Sequence, residues 1–375
     1  MTSEASTALR PDRACDTGRG SGALTFQGML DRLAQGAHLS RGETAWALEE
    51  IVDGRVQETQ AAAFLMGLRV KGETAEEIAG LLETMRRLAI AVETSYVDEL
   101  VDIVGTGGDG LGTFNISTTA AFVAAGAGVK VAKHGNRAAS SRCGSADVLE
   151  ALGVRTDLGP AEVAACIERV GMGFMLATRH HPAMGRVAGI RRALGIRTVF
   201  NFLGPLANPA RVRRQLIGVS SPGYVPVLAE ALARSGCRHA LVVCGEGGLD
   251  ELSVSGPSLV TEVKEGEVTA CYRLEPEEQG ITRWDLSLLA GGEPVENAAI
   301  TRSVLSGCPG AAREAVLLNA AAALYVAGAA SSIAAGVDMA RESIDSGRAA
   351  QVLADLVALT RELAGEERRG VHRDK

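Results

Sequence analysis

Gly105-Thr106-Gly107-Gly108-Asp109-Gly110-Leu111-Gly112-Thr113-Phe114-Asn115-Ile116-Ser117-Thr118 is the stretch from which the rest of the sequence is read. Residues 100–104, apolar except for Asp102, precede it and read as a buried strand. Small apolar residues over 119–127 follow it and read as a packed helix. Strand, glycine-rich loop and helix N-terminus in that order make an anion cradle. Glycines let the backbone approach a ligand, and free N–H groups at the positive end of the helix dipole face it. Thr113, Asn115, Ser117 and Thr118 add side-chain donors. The stretch lacks the Lys-Ser/Thr ending of a Walker loop, so the implied phosphate sits in another frame.

Outward from this loop the chain divides into three parts. Residues 1–24 mix Arg, Asp, Gly, Ser and Thr without periodicity and read as a tail. Residues 25–95 are helical in pattern: Phe26, Met29, Leu30 and Leu33 share a face, and Ser40 to Glu43 and Thr74 to Glu77 have capping-box spacing. Residues 61–68 are apolar almost all round, so that helix is expected to be sandwiched between partners, and the surplus apolar surface serves domain packing and a homodimer interface together. Over 96–370 short β-rich runs alternate with helical stretches, the pattern of an α/β domain with a mostly parallel central sheet. The expected strands are 100–104, 129–132, 173–176, 215–219, 240–244 and 258–263. Helices are expected at 161–170 and 225–235, and the Ala-rich stretch 311–363 reads as helical with Ser332 and Ser343 as local caps.

Composition narrows the function. The net charge of −7, from 38 basic and 45 acidic residues, disfavours nucleic acid or an acidic membrane surface as the main partner. Seven cysteines show no C-x-x-C pair and no framework spacing, which suits reduced thiols in the cytoplasm. No apolar run reaches the ~18 residues of a membrane span, and no signal peptide opens the chain.

Four further motifs fall after expected strands or between them. Lys133-His134-Gly135-Asn136-Arg137-Ala138-Ala139-Ser140-Ser141 packs two cations, an imidazole, an amide and two hydroxyls into nine residues, suited to a diphosphate. His180-His181-Pro182-Ala183-Met184 invites a metal reading, but neighbours on an extended chain point to opposite sides, so structural histidines fit better. Arg191 follows Met184 by two helical turns, so both can face one pocket. Residues 198–209, rich in Pro, Gly and Asn, read as a shaped connector between domains rather than a plain helix. Gly245 to Glu251 places Asp250 and Glu251 on a glycine-rich loop at a strand end. Such a pair suits Mg2+, which takes one or two carboxylates plus substrate oxygens. The parts together describe transfer from a Mg2+-bound diphosphate ester without a covalent nucleophile.

The same residues carry a family resemblance. Gly105 to Asp109 with Asn115 to Thr118, Lys133 to Gly153, His180 to Met184, Asn201 to Pro209 and Leu249 to Glu251 together resemble the anthranilate phosphoribosyltransferases, in order, over roughly residues 25–365. The resemblance implies transfer of the 5-phosphoribosyl group from 5-phosphoribosyl 1-diphosphate to anthranilate, in tryptophan biosynthesis. It also implies the nucleoside phosphorylase-like fold, a small helical domain on a larger α/β domain joined by a segment around 185–210, and a homodimer through the helical domain. Gly105, Gly108, Asp109, Thr113, Asn115, Ile116, Ser117, Thr118 and residues Lys133 to Ser141 match the phosphoribosyl diphosphate contacts. Ser117, Asp250 and Glu251 match ligands for Mg2+, two ions per subunit. Gly105, Asn136 and Arg191 match the anthranilate contacts, and Lys133, Asn136 and Arg191 are the positioning groups. Cys143 stands where many members have a serine against the diphosphate, and a thiol is the weaker donor. A pyrimidine nucleoside phosphorylase of the same fold is the alternative, opposed by Asp109 and the Lys-His-Gly-Asn loop. A non-catalytic nucleic-acid-binding relative is another, opposed by the acidic charge and the Asp250-Glu251 pair.

Overall fold

The computed structural model describes residues 24–138 and 141–370, with side chains through 365. The tail expected over 1–24, Leu24 apart, lies outside the described residues, as do Ala139 and Ser140.

Four helices open the described chain: α1 (Phe26–Ala34), α2 (Arg41–Val52), α3 (Glu58–Lys71) and α4 (Ala75–Leu88). Ser40 and Thr74 each accept from the amide three residues on, while Glu43 and Glu77 reach back to the cap's own amide. Glu77 is fully buried and also accepts from Leu39 N and Lys71 Nζ, both at 2.8 Å, so one carboxylate caps α4 and ties the α1–α2 loop to the end of α3. Within one chain α3 is packed on one side only. Ala61, Phe64, Leu65 and Leu68 are buried, whereas Met66 and Val70 are exposed.

A seven-stranded sheet follows: β1 (Leu100–Gly105), β2 (Lys130–Gly135), β3 (Met172–Leu176), β4 (Arg214–Gly218), β5 (His239–Cys244), β6 (Ser258–Lys264) and β7 (Glu267–Leu274). Its spatial order is β3-β2-β1-β4-β5-β6-β7, parallel through β5 and antiparallel at the last two strands. β1 pairs with β2 on one side and β4 on the other, so the chain switches direction at β1. A ligand crevice in such a sheet lies beyond the strand carboxyl ends at that switch. The connecting helices are α5 (Ile116–Gly126), α6 (Ser145–Leu152), α7 (Pro160–Val170), α8 (Ala177–His180), α9 (Gly185–Leu194), α10 (Phe200–Leu206) and α11 (Tyr224–Ala233). After β7 come α12 (Pro294–Leu305), α13 (Ala311–Ala327), α14 (Ile333–Asp345) and α15 (Arg348–Gly370).

Alternate residues of each central strand enter different cores. Leu241 and Val243 join a cluster with α5, α12, α13, α14 and α15, while Ala240, Val242 and Cys244 join one with α10, α11 and the four-helix bundle. The bundle is thus packed onto one face of the sheet. Among the described residues no helix is long and apolar enough to cross a membrane.

Four local expectations need correction. β7 was not expected; its residues are mostly exposed, and its signals are the alternation of Val268, Ala270, Tyr272 and Leu274 with Glu267, Thr269 and Arg273 and the two-residue hairpin turn Glu265-Gly266, both at positive φ. α5 begins at Ile116, so Ser117 and Thr118 sit in its first turn rather than before it. Residues 200–206 are helical despite Pro205, because seven residues are short enough for the proline to remove a single bond and Asn201 Oδ1 accepts from Thr198 N at 2.9 Å. Ser332 caps α14, but Ser343 lies inside that helix and donates to Val123 O at 2.8 Å.

Candidate active site

The glycine loop leaves β1 against the acidic loop that leaves β5. A Cβ on Gly105 would stand 2.3 Å from Asp250 Oδ2, and one on Gly218 would stand 1.7 Å from the Asp250 carbonyl. Glycine at those two strand ends is what lets the acidic loop lie across β1 and β4. Gly107 N then donates to Asp250 Oδ2 at 2.5 Å, and Ser117 N, in the first turn of α5, donates to Glu251 Oε1 at 3.0 Å. Asp109 Oδ1 accepts from Leu111 N at 3.1 Å, while its buried Oδ2 has no partner. Thr113 bridges to Ala290, and Asn115 accepts from Asn297 Nδ2 at 2.9 Å and donates to Cys143 O at 3.3 Å, linking the first loop to the second. The side chains of Ile116 and Thr118 are buried beneath α5.

Burial dominates the electrostatics here. It pushes Asp250 up to about 7, aided by the carboxylate of Asp109, and Glu251 up to about 8, aided by Asp250. Lys133 is buried between Asp102 and Glu251, its Nζ donating to Ile103 O at 2.6 Å; burial lowers its pKa. Asp102 beneath it is raised to about 6 by burial, although Asn208 Nδ2 donates to it at 2.7 Å. Crowded, desolvated carboxylates with one orphaned oxygen are a donor set that a divalent cation would relieve. Among the described residues no three His, Cys, Asp or Glu side chains converge on one point. Mg2+ needs one or two carboxylates and completes its shell with waters and phosphate oxygens.

The second loop leaves β2 beside the first. Asp147 Oδ2 accepts from Ala138 N and Gly144 N, both at 2.9 Å, and so closes the loop. Gly135 abuts Ser145, whose Oγ accepts from Asn136 N at 3.2 Å. Asn136 and Ser141 are exposed. Arg137 turns outward to the carboxylate of Glu150, with two contacts of 2.6 Å. The Cys143 thiol is pushed up to about 11 by burial, so it is a neutral, weak donor. His134 donates its amide to Asp102 at 3.2 Å, and its Nδ1 lies 3.1 Å from Gly204 O.

Arg191 occupies the last turn of α9 over the ring of Phe200, 6.0 Å from its centroid. Its Nε is buried without a partner, burial depresses its pKa, and no acidic residue among those described pairs with it. Arg192 beside it is exposed. Met184, expected to share a pocket with Arg191, caps α9 and packs against the bundle cluster. His180 and His181 are buried and contact separate backbone carbonyls, Leu176 O at 3.2 Å and Ala207 O at 2.9 Å.

Sequence reasoning missed several supports. Asn319, a lone amide in the Ala-rich α13, exchanges two 3.0 Å hydrogen bonds with the backbone of Leu252 and so fixes the acidic loop from behind. Its polarity within an apolar run was the available signal. Arg197 donates to the carbonyls of Gly108 at 2.5 Å and Gly107 at 3.0 Å, which no local pattern announces. The loops after β1, β2 and β5 thus present amide donors and a pair of carboxylates at one end of the sheet, and α9 carries an unpaired guanidinium. Such a site can take a polyanion with a divalent cation, and a second anionic group at the guanidinium.

Residues 97–350 match the model of the glycosyl transferase family a/b domain, and residues 27–89 match that of its helical bundle domain. An anthranilate phosphoribosyltransferase of Anaeromyxobacter dehalogenans is 55% identical over 335 residues, 89% of this chain and 98% of the relative. The crystal structure of anthranilate phosphoribosyltransferase from Thermus thermophilus superposes with a TM-score of 0.84 at 46% identity, covering 88% of this chain and 99% of that one. The Saccharomyces cerevisiae enzyme in complex with PRPP and Mg superposes with a TM-score of 0.82 at 32% identity, covering 90% and 98%.

Proposed function

The chain belongs to the anthranilate phosphoribosyltransferase family, and from that premise we propose which of its residues carry the family's reaction. The enzyme transfers the 5-phosphoribosyl group of 5-phosphoribosyl 1-diphosphate to the amine of anthranilate, giving N-(5-phosphoribosyl)anthranilate and diphosphate, in tryptophan biosynthesis. The observation that carries the site assignment is the meeting of the glycine loop and the acidic pair at the carboxyl ends of β1 and β5, with Arg191 left unpaired on α9.

Phosphoribosyl diphosphate is assigned to Gly105, Gly108, Asp109, Thr113 and Asn115 to Thr118, of which the Gly108 and Asp109 amides have no acceptor among the described residues, and to the loop from Lys133 to Ser141 with Cys143. Lys133 is too enclosed to swing freely, so its charge acts through Glu251 and Asp102. Asp250, Glu251 and Ser117 are assigned to Mg2+, which when bound neutralises diphosphate charge. Two ions per subunit are part of the proposal, with Asp109, Asp250 and Glu251 as the carboxylates crowded there. Anthranilate is assigned to Arg191, Asn136 and Gly105. A planar guanidinium can grip a carboxylate through two parallel hydrogen bonds and so aim the ring. The aromatic amine is a weak base and already nucleophilic, so no general base is assigned. Rate then comes from holding the amine at the anomeric carbon and from donors that stabilise the departing diphosphate as the ribose gains oxocarbenium character.

A homodimer through the helical bundle is part of the proposal, supported by exposed Met66 and Val70 one turn apart on α3. A cytoplasmic location is supported by six free cysteines among the described residues. Diphosphate release from phosphoribosyl diphosphate and Mg2+ with a panel of aminobenzoates tests the reaction. Release with anthranilate is expected; consumption of phosphate and a pyrimidine nucleoside instead would favour the phosphorylase alternative.

A further inference from the structure

We propose that Arg197 is a positioning residue that aims the Gly108 and Asp109 amides at the diphosphate substrate by holding the carbonyls on the other edge of those peptide groups. The assignment rests on the phosphoribosyl transfer reading.

Arg197 follows α9 and precedes α10, and its guanidinium spans the glycine loop as a fork, to Gly108 O at 2.5 Å and Gly107 O at 3.0 Å. Among the described residues these two carbonyls are its only hydrogen-bond partners, and it makes no ion pair. In a trans peptide the N–H points opposite to the C=O. Fixing the carbonyls of residues 107 and 108 therefore turns the amides of Gly108 and Asp109 away from Arg197. Neither amide has an acceptor among the described residues. Two adjacent unpaired N–H groups on a strand-end loop are an anion site.

The loop could not hold this shape unaided. Gly107 and Gly108 both have left-handed φ, 70° and 72°, where glycine gives the least resistance to a peptide flip. Asp250 secures the Gly107 amide at 2.5 Å, which leaves the next two peptides to Arg197. The fork itself stands on a platform. Phe202 lies 5.9 Å below the guanidinium and packs on Tyr224 at 4.1 Å between centroids. The Tyr224 hydroxyl donates to Glu73 at 2.8 Å and accepts from Arg69 at the end of α3. The platform under the clamp is therefore anchored in the helical bundle.

The test measures binding of phosphoribosyl diphosphate with Mg2+ by calorimetry, and KM for each substrate, in the parent, Arg197→Ala, Arg197→Lys and the exposed control Arg192→Ala. Arg197→Ala is expected to weaken phosphoribosyl diphosphate at least about 10-fold, the range for bonds to a charged donor, with KM for anthranilate little changed. Arg197→Lys, a point donor that cannot bridge both carbonyls, should fall between, and added guanidinium should restore part of the loss in Arg197→Ala. Unchanged or tighter phosphoribosyl diphosphate binding in Arg197→Ala overturns the clamp, as do equal losses toward both substrates without guanidinium rescue. A parent that binds phosphoribosyl diphosphate but leaves anthranilate untouched would overturn the transfer reading, while the binding comparison still decides the role of Arg197.

Discussion

Ser117 and Glu251, 134 positions apart, are joined by a 3.0 Å hydrogen bond from the Ser117 amide to Oε1 of the carboxylate. The acidic loop after β5 therefore occupies a donor at the N-terminus of α5, where a phosphate would otherwise be received, and the two loops behave as one electrostatic unit. Substitution of Asp250→Asn together with Glu251→Gln keeps the shape and removes both charges. The fold should survive, because neither side chain gains a clash and burial no longer opposes a charge. The Mg2+ dependence of the transferase rate should disappear along with most of the rate. A double variant with the parent's rate and Mg2+ optimum would remove both residues from the metal site.

Arg191→Ala should cost roughly 1.5–3 kcal/mol of interaction with anthranilate, hence about 10- to 150-fold in kcat/KM for that substrate. The residue is half-buried without a counter-ion, so its removal relieves a burial cost in the free enzyme and is felt when the carboxylate arrives. KM for phosphoribosyl diphosphate should barely move, and Arg192→Ala should be near neutral. Equal losses toward both substrates would withdraw the carboxylate role.

Met66→Glu with Val70→Glu places two charges on the open face of α3, where Met66 and Val70 are 37% and 77% exposed. In a monomer such surface changes are nearly neutral, whereas in an interface they bury unpaired charge. The parent is expected to run at twice its 38.8 kDa chain mass by light scattering, and the variant at the chain mass. A monomeric parent at micromolar concentration would refute the dimer.

His134 and His181 lie with ring centroids 5.2 Å apart, and burial holds their pKa values down to about 3 and about 4. In the unfolded chain both titrate near 6.5. Between those values the unfolded state binds more protons than the native one, so stability falls as pH falls below about 6.5. His181→Gln can keep a donor to Ala207 O without a titrating ring. Its Tm should decline less steeply than the parent's between about pH 6.5 and 4, and parallel acid limbs would assign the acid sensitivity to other groups.

What could be read from residues in order was whatever a local pattern encodes. Six strands announced themselves as apolar runs, the bundle as periodic helices with two capping boxes, and the three ligand loops as clusters of glycine and polar groups at strand ends. β7 escaped because its short alternation, Val268, Ala270, Tyr272 and Leu274, lies on a mostly exposed edge strand, and the helix at 200–206 because a proline and a glycine argue locally against what the surrounding packing supports.

The sequence by itself determined the fold class and the kinds of groups available to the site, since hydrophobic period, turn residues and charge are properties of neighbouring residues. Only the tertiary structure decided how those groups are used. It buried Lys133 under Ile103, turned Arg137 outward to Glu150, brought Asn319 behind the acidic loop and set Arg197 on the glycine carbonyls. Each of these is a contact between distant segments or a choice among rotamers of a long side chain. Such choices are fixed by what the sheet and helices bring within hydrogen-bond reach, and no spacing along the chain records them.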